Sequence, residues 1–435
     1  MAREQPINAD VPAAEGADQS PEAARPPQPK RRRRAIPTAL KAVAGLFLLA
    51  VVFLLAAILG GGSDGEEGAE APAPTIEAPE TGEGPEPQAP EELGYPSFAT
   101  ANTTRVGGAD PVANAAAVAL AVYPSAGSAQ RPDAVTLVDA GDWRGAVAAA
   151  VLMAPPLGAP ILVSEADEAP EPTEEALDAL DPQGSKGSRG ARVFAIGAAT
   201  SPEGLETRRV GAGGSAGAAA IAALRDRLFG GPPDHFLVAP AGQPAFAMPA
   251  AAWAARSGDP VLFANRDALP PVTARALRRH PEAPVYVLGP SAAISSQVVR
   301  QIARIAKRVR RVSGEDPVAN AIEFARYADG DFGWNVNDPG HGFVVARSED
   351  PLDAAAAAPL SAAGTWGPLL LTDSAATLPT ALRGYLLDVK PGYTDDPTRA
   401  FYNHVWVIGD QEAIELSQQA EIDEAAALAK IGGES

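Results

Sequence analysis

An eleven-residue string occurs twice in this chain. Arg105-Val106-Gly107-Gly108-Ala109-Asp110-Pro111-Val112-Ala113-Asn114-Ala115 returns as Arg311 to Ala321, changed only at Gly107/Ser313 and Ala109/Glu315. A worn copy, Arg209-Val210-Gly211-Ala212-Gly213-Gly214-Ser215, lies between them, with spacings of 104 and 102 residues. A period of that size is one small domain, so the region repeats a unit that must bury its own core or share one with its neighbours.

Each copy then runs through the same order of apolar strings. The first has Ala134–Val138, Ala159–Val163 and Val193–Gly197; the second has Phe236–Val238, Asp259–Phe263 and Val285–Gly289; the third has Phe343–Val345, Gly367–Leu371 and Val405–Gly409. The runs are continuous rather than alternating, which predicts strands covered on both faces and therefore a parallel sheet. Ala-rich stretches at 144–154, 245–256 and 354–363, with 273–279 and 380–388, predict helices between them. Right-handed crossovers turn this into three tandem, small, Rossmann-like parallel-sheet α/β repeats, over 103–205, 206–307 and 308–420, with each arginine-led string adding a fourth short strand.

The first hundred residues read differently. Residues 1–41 form a polar tail ending in the basic cluster Lys30 to Arg34 and Lys41, predicted to be disordered. Residues 42–59 carry no polar side chain and as a helix would reach about 27 Å, close to a bilayer's hydrocarbon thickness. The positive flank precedes this run and ten acidic residues follow it, which predicts a single-pass anchor with a cytoplasmic N-terminus and an extracellular remainder. A cleaved signal peptide is the competing reading of the same pattern. Residues 60–94, rich in Pro, Gly and Glu, predict a self-repelling stalk.

Composition removes several function classes. The net charge is −19, concentrated beyond residue 60, and a field of that sign repels nucleic acid. No cysteine is present, which excludes disulfides, thiolate metal sites and a cysteine nucleophile. His235, His280, His341 and His404 show no metal-ligand spacing, and no cofactor is expected. Gly213-Gly214-Ser215-Ala216-Gly217 matches the nucleophile elbow of serine hydrolases, but Ser215 stands where the other copies have Pro111 and Pro317, the opening turn of the repeat. Asp110 and Asp316 precede proline at helix starts and suit N-caps. Arg300, Arg304, Lys307, Arg308, Arg310 and Arg311 locally reverse the charge, and the spacing of Arg304, Lys307, Arg308 and Arg311 places much of it on one helix face, either a solvated face offsetting neighbouring carboxylates or a surface able to dock an anionic polymer. Arg275, Arg278 and Arg279 add to the same copy.

The unit resembles the cell wall-binding repeat 2 family of Gram-positive surface proteins. That family's repeat opens Arg-x-x-Gly-x-Asp-Arg-Tyr-x-Thr-Ala, matched here by Arg105, Gly108, Asp110 and Ala115 and by Arg311, Gly314, Asp316 and Ala321. Its Pro-(Ile/Leu)-Leu-Leu-(Thr) strand is matched by Pro368 to Thr372, and its closing Val-x-(Ile/Leu)-Gly-Gly strand by the runs ending at Gly197, Gly289 and Gly409. The family's Arg-Tyr-x-Thr is Pro-Val-Ala-Asn in copies one and three, and copy two lacks the Asp. The resemblance implies a pseudo-threefold triplet that holds a surface protein non-covalently on a cell-wall polysaccharide or teichoic-acid-like anionic polymer, without catalysis. The candidate ligand-binding residues are Arg304, Lys307, Arg308, Arg311, Asp316, Arg105 and Asp110. The alternatives are a surface serine hydrolase using Ser215 and an extracellular small-molecule receptor.

Overall fold

The computed structural model describes residues 98–124 and 131–431. The expected tail, the membrane span at 42–59 and the whole stalk at 60–94 lie outside them. Among the described residues no helix is long and apolar enough to cross a membrane.

The nine apolar strings form strands, each fully or largely buried. In the first unit they are Val135–Asp139, Ile161–Ser164 and Val193–Ile196; with Phe98–Ala99 and Thr103–Val106 before them and Thr207–Val210 after, we number them β1 to β6 in chain order. The second unit gives β7 (Phe236–Pro240), β8 (Val261–Ala264), β9 (Val285–Leu288) and β10 (Val309–Val312). The third gives β11 (Gly342–Arg347), β12 (Leu369–Thr372), β13 (Gly392–Tyr393), β14 (His404–Ile408) and β15 (Ala429–Lys430).

Three parallel sheets result, with equivalent orders β4-β3-β5-β6, β8-β7-β9-β10 and β12-β11-β14-β2. In each, the arginine-led strand is the fourth, but it completes the sheet of the preceding copy. Strand β6 pairs with β5, with Arg209 opposite Ala195, and β10 pairs with β9, with Arg311 opposite Val287. Strand β2 has no preceding copy and crosses to the third sheet, where Arg105 lies opposite Val407 of β14. Sequence period and sheet unit are therefore out of phase by one strand. The expectation that each arginine string joins its own copy's sheet is corrected here: the backbone turns at Asp110 and Asp316 and sends the following helix to the next unit. The short β1 lies antiparallel on β2 and covers the edge that β2 would otherwise expose.

The Ala-rich segments hold the sheets together. Helix Trp143–Ala149 continues as a 3-10 turn to Met153, helix Pro249–Ser257 follows a single turn at Pro244–Ala247, and helix Pro351–Pro359 runs into a π-turn, Leu360–Gly364. These three helices pack on one another. Their facing residues, Ala146 to Ala150, Ala250 to Ala255 and Ala354 to Ala358, are almost wholly buried apart from Trp253's slight exposure. Alanine suits such a junction because its small side chain lets backbones approach closely and loses no rotamer entropy on burial. One apolar cluster accordingly joins residues of all three sheets.

Candidate functional site

The three repeat arginines have one job in common. Arg209 donates from Nη1 to the carbonyls of Gly197 (3.0 Å) and Ala199 (2.8 Å) and from Nη2 to Ser201 Oγ (2.9 Å). Arg311 donates to the Gly289 carbonyl and to that of Ile294 (2.6 Å). Arg105 donates to the carbonyls of Gly409 (2.9 Å), Asp410 and Ile414 (2.6 Å), and from Nε to Gln419 Oε1 (3.0 Å). Each guanidinium thus satisfies the turn leaving the third strand of the sheet that its own strand completes, using the rigid donor fork that lysine lacks. Arg105 is 1% exposed, so no polymer reaches it directly. Burial pushes its pKa down, opposed by the nearby Asp410 carboxylate.

Asp110 and Asp316 cap helices. Asp110 Oδ1 accepts from Val112 N and Ala113 N, both at 2.9 Å, and Asp316 Oδ1 accepts from Ala319 N at 2.8 Å. Copy two has glycine there, and the structure supplies the missing carboxylate from elsewhere: Asp142 of the first unit accepts from Gly214 N at 2.7 Å. A Cβ on Gly213 would meet that same carboxylate at 2.8 Å, so the glycine is the condition for the borrowed cap. Ser215 accordingly lies in the first turn of helix Gly214–Phe229. The histidines engage other partners: His235 with Asp259 (3.1 Å), His280 with Asp226 (2.8 Å), His341 with Asp338 (3.1 Å) and His404 with Thr104 Oγ1 (2.9 Å).

Sequence reasoning passed over Asn114 and Asn320, although their recurrence at the same offset was a signal. Asn114 Oδ1 accepts from Gly108 N (2.9 Å) and Asn320 Oδ1 from Gly314 N (3.3 Å), latching the loop between strand and helix. Asn114 Nδ2 also donates to Asp353 Oδ1 (2.9 Å) in the third unit. Asp353 is buried, and that burial, opposed by the Asn114 bond and reinforced by Asp350 and Asp110, raises its pKa to about 7. Asp350 is raised as well, by burial and then by facing Asp110.

The basic stretch does not form one helix face. Helix Ser296–Ala303 ends before Arg304, and residues 309–312 are strand β10, because Val309 and Val312 are claimed by pairing with β9. The expectation that Arg304, Lys307, Arg308 and Arg311 share a face is corrected on that ground. Lys307 pairs with Glu282 (2.8 Å), Arg308 with Asp329, and Arg311 is spent on carbonyls. Arg304 instead joins Arg275 and Arg278, from helix Pro271–Arg278, around an open groove of about 470 Å³ whose floor includes Leu269, Ala274 and Ile305. All three guanidiniums are exposed, and none makes a salt bridge among the described residues.

Three parallel sheets that exchange strands around an alanine-rich helical centre define an α/β repeat protein. Residues 311–419 match the family model for cell wall binding domain 2 (CWB2). Among solved structures, Cwp6 from Clostridium difficile is similar at a TM-score of 0.60 and 21% identity over 75% of this chain and 48% of that one. Cwp8 from Clostridium difficile is similar at 0.54 and 20%, over 75% of this chain and 52% of that one. The chain spans about half the length of each, and at these identities the likeness concerns the fold. Among curated proteins, none matches.

Proposed function

We propose that this chain is a non-catalytic tether whose repeats, packed as a pseudo-threefold triplet, attach it non-covalently to an anionic cell-wall polymer. The observation that carries the reading is the CWB2 match over 311–419, set in a fold that repeats the same sheet twice more. The Arg275, Arg278 and Arg304 groove supports it, as the place where exposed guanidiniums without carboxylate partners gather on an otherwise acidic chain. Guanidiniums engage phosphate or carboxylate groups bidentately, and weak sites repeated along a polymer add through effective concentration. Arg105, Arg311, Asp110 and Asp316 serve this function indirectly, by holding the repeat units together, while Lys307 and Arg308 are paired with Glu282 and Asp329. In this reading residues 42–59 anchor the chain in the cell membrane, residues 60–94 space it, and the repeats face outward.

The test is retention of the full-length chain, in mild detergent, on isolated cell walls before and after acid extraction of their anionic polymers. Wild type is retained on intact walls, released by acid extraction, and released by raising salt from about 0.1 M to about 1 M, where screening shortens to roughly 3 Å. Changing Arg275, Arg278 and Arg304 together to Glu should lower retention at least about tenfold. Retention that ignores both salt and polymer removal would sink the proposal. Fractionation of cells reads the anchor, since deleting residues 42–59 should shift the chain out of the membrane fraction.

A further inference from the structure

A second cavity, of about 400 Å³, opens on the opposite chemistry. It is lined by Asp234, His235, Trp253, Arg256, Asp331, Trp334 and Trp366, with Ser257, Asp259 and Gly333 completing the wall. It brings residues that enter β7, end helix Pro249–Ser257 and precede β12 to one place with the loop after helix Pro317–Arg326. The arginine-led motif of the repeat contributes nothing to it.

Its base is fixed. Asp259 accepts from His235 N (2.9 Å), faces His235 Nδ1 (3.1 Å) and accepts from Trp253 Nε1 (2.9 Å), which engages both oxygens of this carboxylate. Phe332 is fully buried and stacks on Tyr286 at 3.5 Å, with the His235 ring edge-on at 5.4 Å. That anchors the loop carrying Asp331 and Trp334 on either side of it. Trp334 meets Trp253 edge to face at 5.3 Å.

Its rim is free. Asp234, Asp331 and Arg256 are exposed and have no hydrogen-bonded or ionic side-chain partner among the described residues. Trp366 is 56% exposed, an unusual place for the largest apolar side chain, and its backbone sits at φ +55, in the left-handed region. The following residue explains how it is held: a Cβ on Gly367 would collide with the Gly342 carbonyl, so the strand entries are pressed together and Trp366 is turned outward. Conformational strain at an exposed tryptophan beside a cavity points to ligand contact rather than packing.

We propose that this cavity is a pyranose-binding site, taking an uncharged hexose or N-acetylhexosamine unit of a glycan. A pyranose has an apolar C–H face and a rim of hydroxyls that both donate and accept. The cavity offers indole surface for the face, two free carboxylates as acceptors and one free guanidinium as donor, on a floor already locked by its own hydrogen bonds. The size falls within the usual range for small-ligand sites, roughly 300–1,000 Å³. The proposal goes beyond the tethering function above: the groove selects charge, this site selects a ring, and salt separates them.

The experiment titrates the full-length chain in mild detergent with N-acetylglucosamine and with glucose, following tryptophan fluorescence at about 0.1 M and about 1 M salt. A saturable change with at least one sugar is expected, with affinity equal within twofold at both salts. Trp366→Ala should weaken it at least about tenfold, with Trp253 and Trp334 still present as reporters. Trp366→Gly should weaken it as much without lowering the thermal midpoint, because glycine adopts this backbone freely. No saturable change with either sugar, a smaller loss in the Trp366 variants, or a lower midpoint for Trp366→Gly overturns the proposal. Wall retention measured on the same variants keeps the two readings apart, since failure of the pocket leaves salt-sensitive retention untouched.

Discussion

The three junctions between units perform the same operation under different conditions. At two of them the borrowed strand follows closely in the chain, β6 after β5 and β10 after β9. At the third, β2 meets β14 some 300 residues later, and Thr104 pairs with Trp406 across it. The first two are held by covalent proximity, the last by contacts alone, and loop closure over that distance costs entropy that those contacts must offset. The arginines are graded to match. Arg209 is exposed, Arg311 is half-buried and Arg105 is buried with the fullest set of acceptors. The distant junction has further bonds of its own, from Gln419 Nε2 to Thr103 Oγ1 (2.9 Å) and from Asn102 N to Asp423 Oδ1 (2.8 Å). One motif thus has a value set by where the chain happens to be continuous.

The largest effect that tests this grading is the arginine series. Arg105→Ala leaves several buried carbonyls unpaired and should cost about 3 kcal/mol or more in urea unfolding, Arg311→Ala about 1–2 and Arg209→Ala about 1 or less. Equal losses at the three positions would break the comparison.

Next comes pH. Asp353, at the same distant junction, has a folded pKa raised to about 7 from the ordinary 3.8. Between those values the folded chain keeps a proton that the unfolded chain has released, so this group's stabilising contribution is complete below about pH 4 and is lost as pH rises through 7. The change should amount to about 2–4 kcal/mol. Asp353→Asn should flatten that part of the stability profile measured by urea unfolding at several pH values. A profile unchanged by the substitution would show that the carboxyl titrates normally.

The smallest effect sharpens the junction between the first two units. Asp142→Ala removes the borrowed cap from Gly214 and should cost about 1 kcal/mol, comparable to Asp316→Ala at the next junction. No measurable loss in thermal or urea unfolding would mean that the glycine pair needs no cap.

Much of this architecture was legible. Continuous apolar strings marked nine buried strands, and the recurrence of Arg-Val with a capping Asp marked the units. Which sheet an arginine-led strand joins was not legible, because a four-residue edge strand carries no information about its neighbour and a parallel crossover satisfies either choice. Arg304 to Arg311 misled for a related reason: spacings of three and four fit a helix, while Val309-Arg310-Arg311-Val312 fits an edge strand equally, and only pairing with β9 decides. Asp142 was invisible as a cap for Gly214 because it lies 72 residues away in sequence. Trp334 and Trp366 were visible only as two tryptophans in glycine-rich connections, a signal without a partner until the fold placed them together.

The exchange of strands around the three sheets has a consequence for any attempt to take the molecule apart. A single repeat excised at its sequence boundaries would carry away a strand belonging to its neighbour and leave its own sheet one strand short, with bare amide edges inviting aggregation. The natural unit of inheritance is therefore the whole triplet. Its order around the circle has no privileged first member, so a chain reopened at another inter-unit connection, with Phe98 and Ile431 bridged by a suitable linker, would enclose the same core.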